Sequence, residues 1–173
     1  MVLQRKTFSP LLVAALLVSP SSTSESRSHS ADNGAREVLR VIDGDTLVLS
    51  PNEKVRLIGV DTPETKHPKK PVQCFGLQAK EFTGKMAAGK KIRLELDQAN
   101  AATGHKDRYG RTLGYVYLED GVFLNAEIIR QGYGHSYTRF PFRYLEEFRA
   151  LQRQARAVGR GLWSGCLRRG YAS

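Results

Sequence analysis

The feature that most constrains this chain is a run of short apolar segments near its start: Val38 to Ile42, Thr46 to Leu49 and Val55 to Val60, separated only by turn residues such as Pro51-Asn52. Their β-branched and leucine residues read as strands. Strands that follow one another so closely leave unpaired edges, which must close on themselves or be covered. Two more come later: Ile92 to Leu96, which alternates with Ile92, Leu94 and Leu96 on one face, and Thr112 to Leu118. Elsewhere the apolar period is that of a helix. Leu77 to Ala88 places Ala79, Phe82, Met86 and Ala87 on one side and stops at Gly89, despite Gly84 inside it. A short helix near Leu124 to Gln131 ends at Gly132. A longer one carries the stripe Leu145, Phe148, Leu151, Ala155 and Val158, with Arg149, Arg153 and Arg156 on its other side. Five strands and about three helices predict one small α+β domain built on a barrel.

Two of the strand segments carry charge from which a sheet gains nothing. VIDGDTLVL, Val41 to Leu49, holds Asp43 and Asp45 on either side of a glycine. VRLIGVDTPET, Val55 to Thr65, holds Arg56 inside an apolar run, Asp61 at its end and Glu64 in the loop beyond. Asp43-Gly44 taken alone is ordinary turn chemistry. The two clusters together are not, because acids and an arginine set into apolar strands cost several kcal/mol when unpaired. Pro63 fixes the local backbone and biases Thr62 towards an extended conformation, so this strand end aims its oxygens at one point. With Asp45 facing it from a neighbouring strand, two carboxylates, a backbone carbonyl and water make a hard-cation site suited to Ca2+. A third segment, DRYGRTLGYVYL, brings Asp107, Tyr109 and Arg111 to the start of a strand. Arg111 beside Arg56 gives two planar guanidinium forks, the geometry that holds phosphate oxygens bidentately. Either arginine alone is more often a surface ion pair. Two of them at a carboxylate cation site point to phosphoryl transfer.

The charge balance agrees. Lys and Arg total 27 against 17 acids, a net +10, which draws a protein to polyanions or simply keeps it soluble. Residues 1–30 contain only Arg5, Lys6, Arg27 and Glu25 among these, so the basic surplus belongs to the rest of the chain. Arg5 and Lys6 precede the apolar run Leu11 to Val18, and small residues follow, the layout of a signal peptide. The expected organisation is a signal peptide over residues 1–24, cut between Ser19 and Ser30, a Ser-rich disordered leader over 25–35, and one domain over 36–168. An uncleaved anchor is the alternative. Export would place Cys74 and Cys166 in an oxidising compartment, where a disulfide is expected and two free thiols are the other possibility.

The motifs IDGDT, VRLIGVDTPETKHPKK and DRYGR, in this order and spacing, resemble the thermonuclease (staphylococcal nuclease) family, and the resemblance runs from Val38 to Trp163. It implies an OB-fold barrel capped by helices, and a secreted or periplasmic Ca2+-dependent nuclease acting on DNA and RNA. By that resemblance Asp45, Asp61 and the Thr62 carbonyl are cation ligands, with Asp43 just outside them. Glu64 matches the residue that activates water, and Arg56 and Arg111 match the phosphate-binding arginines. Tyr109 matches a tyrosine beside the nucleotide, and Lys69 and Lys70 lie in the family's basic loop. Tyr137 falls near a second nucleotide-contacting tyrosine, although GYGHSYTRFPF departs from the family pattern. The cysteines depart too, since the staphylococcal member has none. No stable protein partner is implied, and a monomer is expected. The rivals are a catalytically inactive OB-fold module that only binds nucleic acid, and a secreted protein that binds acidic surfaces or lipid through its basic face.

Overall fold

A computed structural model describes residues 34–65 and 71–166. The expected signal peptide and leader, together with Lys69 and Lys70, lie outside the described residues. The close apolar segments form an antiparallel meander: β1 (Arg36–Asp43), β2 (Thr46–Leu49) and β3 (Glu53–Leu57). β1 shifts register twice against β2, between Val38 and Arg40 and between Val41 and Asp43. Such irregularities bend a strand, and the other end of β1 pairs with β5 instead.

The apolar run from Val55 to Val60 is not one strand, as its composition suggests. It breaks at Gly59, where φ is 73° and a Cβ would stand 2.6 Å from the Phe142 ring. Only glycine fits there. The chain resumes as the two-residue β4 (Val60–Asp61), outside the barrel. After helix α1 (Gly76–Ala87) come β5 (Lys91–Glu95), a 3-10 turn over Gln98–Thr103 and β6 (Thr112–Leu118). β6 runs parallel to β3 and antiparallel to β5, which closes the barrel in the order β1-β2-β3-β6-β5. This is the five-stranded barrel of an OB-fold. The alternation predicted through Leu96 stops one residue earlier, and Leu96 is 44% exposed.

Helix α2 (Leu124–Arg130) is followed by β7 (His135–Ser136), which pairs with β4, and then by α3 (Leu145–Ala157) and the one-turn α4 (Leu162–Gly165). Leu47, Leu49, Val55, Leu57, Ile92 and Val116 belong to one buried core with Leu124, Ile128 and Phe148 of the helices. Each such side chain contributes about 1.5–3 kcal/mol on burial. Val158 does not belong to the α3 stripe: it lies past the last turn and is 66% exposed. The buried Asn125 of α2 accepts Val116 N–H at 3.0 Å and donates to Ile58 O at 3.0 Å and Gly114 O at 3.2 Å. It therefore ties the barrel to the turn that leads into Asp61. A disulfide joins Cys74, just before α1, to Cys166, just after α4, with the two Cα atoms 5.9 Å apart.

Candidate active site

The two acidic motifs meet where the β1–β2 turn packs against the end of β4. Asp43 ends β1, whereas Asp45 lies in the turn and not on a strand. The turn backs so closely onto Thr62 that a Cβ on Gly44 would stand 2.8 Å from its side chain. That closeness lets Thr62 donate both its N–H (2.9 Å) and its hydroxyl (3.1 Å) to Asp45 Oδ2. From the other side, the buried Thr83 of α1 donates its hydroxyl to Gly44 O at 2.6 Å. Asp43 takes the next residues of the same loop: Thr65 donates its N–H at 3.3 Å and its hydroxyl at 3.1 Å. The Glu64 carboxyl also lies against Asp43.

Both arginines converge on Asp45. Arg56, which pairs across the sheet with Thr46, places Nη1 3.1 Å from Asp45 Oδ2 and Nη2 3.2 Å from Asp61 Oδ1. It also donates from Nη1 to Val60 O at 2.6 Å and Leu57 O at 3.3 Å, so it braces the turn before β4. Arg111, at the foot of β6, reaches the other carboxylate oxygen through an intermediary. Its Nη1 donates to Thr46 Oγ1 at 3.4 Å, and that hydroxyl donates to Asp45 Oδ1 at 2.9 Å. Asp107 orients Arg111 by accepting Nε at 2.7 Å and the Arg111 amide at 3.0 Å. Burial raises the Asp107 carboxyl, but its bonds from Arg111 and from the Tyr109 amide outweigh this and hold it below the usual carboxylate range.

The electrostatics are those of crowded anions. Burial, the hydrogen bond to Glu64 and the Asp45 and Glu64 carboxylates together push Asp43 up to about 6. Asp61 is raised by burial and by Asp45 and Glu64, with Arg56 and His135 opposing. His135, its partner across the β4–β7 ribbon, is lowered by burial. Among the described residues, no group of three or more His, Cys, Asp or Glu side chains forms a metal cage. The donors present are oxygens, two of them the Asp45 and Asp61 carboxylates that share Arg56. That set fits a hard cation that keeps part of its water.

The tyrosines lie at the margins. Tyr109 is 66% exposed, with the Arg108 and Arg111 guanidinium groups 4.8 and 5.2 Å from its ring centroid. Tyr137 follows β7, donates its N–H to Gly59 O at 2.9 Å and sits 6.1 Å from the exposed Phe140 ring. Sequence reasoning missed Thr46, which links Asp45 to Arg111, and the orienting threonines Thr65 and Thr83. It also missed Gln73, whose Oε1 accepts Glu64 N–H at 2.7 Å. Neutral polar residues near turns carry no mark of such work.

Residues 54–165 match the family described as Staphylococcal nuclease homologue. The chain is 39% identical to the thermonuclease of Staphylococcus hyicus over 78% of each chain. It is 48% identical to that of Staphylococcus intermedius over 55% of each. It is also 34% identical to a protein of Escherichia coli O157:H7 described as an uncharacterized endonuclease, over 73% of this chain and 75% of that one.

Proposed function

The chain belongs to the staphylococcal nuclease family of hydrolases, and we propose that it is an exported Ca2+-dependent nuclease that cuts DNA and RNA with weak sequence preference. The observation that carries this reading is the convergence on Asp45 of Arg56, directly, and of Arg111, through Thr46, beside Asp61 and Glu64. Carboxylates for a cation and two guanidinium forks for an anion lie in one place.

Asp45, Asp61 and the Thr62 carbonyl would hold the cation. When bound, Ca2+ supplies positive charge against the phosphodiester and against the charge that develops on its oxygens. Arg56 and Arg111 hold the non-bridging oxygens, each already aimed by protein acceptors. Glu64 holds the attacking water and takes its proton, with the Asp43 carboxyl beside it. Lys69 and Lys70 add salt-dependent grip on the backbone, while Tyr109 and Tyr137 stack on bases, which every base permits. Export is supported by the Cys74–Cys166 disulfide, a bond that persists in oxidising compartments.

The test is incubation of the purified protein with plasmid DNA and with RNA, each with Ca2+ and with a chelator. Fragmentation of both that the chelator abolishes is expected. Tight binding with no cutting under any divalent cation would favour the inactive binding module.

A further inference from the structure

Glu64 sits in a loop, yet its backbone is clamped. Its N–H donates to Gln73 Oε1 at 2.7 Å, and the Gln73 N–H donates back to Glu64 O at 3.0 Å. Gly76, the first residue of α1, presses on the same backbone: a Cβ there would stand 3.0 Å from Pro63 O and 3.1 Å from Glu64 O. Gln73 itself is exposed, so its fixity comes from its neighbours on the C-terminal side. Its carbonyl accepts Gly76 N–H at 3.0 Å, and the next residue, Cys74, is bonded to Cys166. Cys166 follows α4, which is tied back to the end of α2 by Leu162 N–H donating to Gly132 O at 2.9 Å. Phe75 adopts φ 70°, a left-handed conformation unusual for a bulky residue, and packs its ring against Tyr133 at 5.4 Å and against Gly165. A covalent strut thus runs from the end of α4 to the residue that grips Glu64.

Resting on the nuclease reading above, we propose that Gln73 is a positioning residue for Glu64 and that the Cys74–Cys166 disulfide holds Gln73 in register, which makes turnover depend on the oxidised state. Reduction by a dithiol breaks the Sγ–Sγ bond. Two electrons and two protons pass to Cys74 and Cys166, which become thiols, and the dithiol leaves as its cyclic disulfide. The segment before α1 then loses its anchor, and the Glu64 amide loses a fixed acceptor.

Gln73→Leu, which removes the acceptor, lowers kcat by about 10–100-fold with little change in KM, because a slightly displaced carboxylate still lets substrate bind. Gln73→Glu keeps an acceptor oxygen and recovers most of the loss. Dithiol treatment lowers kcat of the unmodified protein by a similar factor and adds little to Gln73→Leu. Hydrogen exchange at the Glu64 amide, measured without substrate, speeds up in Gln73→Leu and on reduction but not in Gln73→Glu. Unchanged exchange at Glu64 in either state overturns the proposal, as does reduction that slows Gln73→Leu as much as the unmodified protein. Reduction that unfolds the barrel, seen by circular dichroism, also overturns it, since the bond would then hold the whole fold. Altered exchange in a protein that cuts nothing even when oxidised would instead sink the nuclease reading and leave the positioning intact.

Discussion

Nη1 of Arg56 stands 3.1 Å from Oδ2 of Asp45, an oxygen that also accepts the amide and hydroxyl of Thr62. That oxygen is therefore oriented by two neutral donors and charge-balanced by a third, while the Thr46 hydroxyl holds Oδ1. Arg56 gives its other terminal nitrogen to Asp61, so one guanidinium serves both acids that would face a cation. Any cation on those acids competes with Arg56 for them, and any phosphate competes with the acids for Arg56. Binding of the two ligands would be coupled through this one side chain.

From that coupling, Arg56→Gln should tighten Ca2+ binding several-fold, because a positive charge is removed from beside the cation's ligands. Turnover should fall by about 100-fold or more as a phosphate-oriented fork is lost. Arg111→Lys keeps its charge and touches Asp45 only through Thr46, so Ca2+ affinity should hold while kcat drops by roughly 10–100-fold. Calorimetry and steady-state kinetics read both. Weaker Ca2+ binding in Arg56→Gln would mean that the arginine supports the cation and does not compete with it.

Asp43 and Asp45 carry the same charge two residues apart but face different partners. Asp45 meets Arg56 and Thr62, whereas Asp43 meets Thr65 and Glu64. Asp45→Asn should weaken Ca2+ by about tenfold or more, and Asp43→Asn by clearly less, since an amide still accepts from Thr65. Calcium titration of both variants separates them. Equal losses would make both acids ligands.

The charged part of this site was readable because Asp43, Asp45, Arg56 and Asp61 interrupt apolar runs, where an unpaired charge is costly. What the sequence hid has two causes. One is distance along the chain: the break at Gly59 is enforced by the Phe142 ring, and Ile58-Gly59-Val60 read alone continues a strand. The other is neutrality: Thr46, Thr65 and Gln73 do their work through hydroxyl, amide and backbone groups that look the same in any turn. Periodicity also runs past real ends. Leu96 and Val158 fit the pattern of their elements but lie beyond them, because the chain turns away just before each.

Asp97 offers a test of stability against pH away from the site. It is buried just after β5 and accepts the Tyr115 hydroxyl, Arg143 N–H at 2.8 Å and Ala99 N–H at 3.0 Å. Burial would raise its carboxyl, but these donors outweigh it and hold it below the ordinary value. A depressed carboxylate stabilises the fold above its unfolded pKa, near 3.9, and that contribution is lost as pH falls through the folded value. Asp97→Asn should therefore cost about 2 kcal/mol at neutral pH, with the gap closing as pH drops below about 4. Urea unfolding of both proteins across that range measures it. A gap that stayed constant would mean that the charge is not what the three donors hold.

Asn125 makes a sharper case for a buried amide, since all its bonds are internal. Asn125→Leu keeps the branching at Cγ but leaves Val116 N–H and Ile58 O without their partner in the core. The expected loss is about 3 kcal/mol. Because Ile58 begins the turn into β4, Ca2+ affinity at Asp61 should fall too. A variant of normal stability would show that water or a shift of α2 replaces the amide.

Glu64 separates chemistry from cation binding. Its backbone is fixed by Gln73 and its carboxyl lies beside Asp43, so Glu64→Gln preserves size, loop and most contacts. An amide side chain still makes a hydrogen bond to Asp43, but it takes no proton from water. If Glu64 serves the attacking water, Ca2+ binding and melting temperature should stay near those of the unmodified protein while turnover falls by about 100–10,000-fold, the usual range for a removed general base. The pH dependence tests this further: an amide does not titrate, so the rate of Glu64→Gln should stay far below that of the unmodified enzyme at every pH. Calorimetry, thermal melting and rate–pH profiles on one preparation decide the matter. Loss of Ca2+ binding would make Glu64 a ligand, and near-normal turnover would move the base elsewhere in the site.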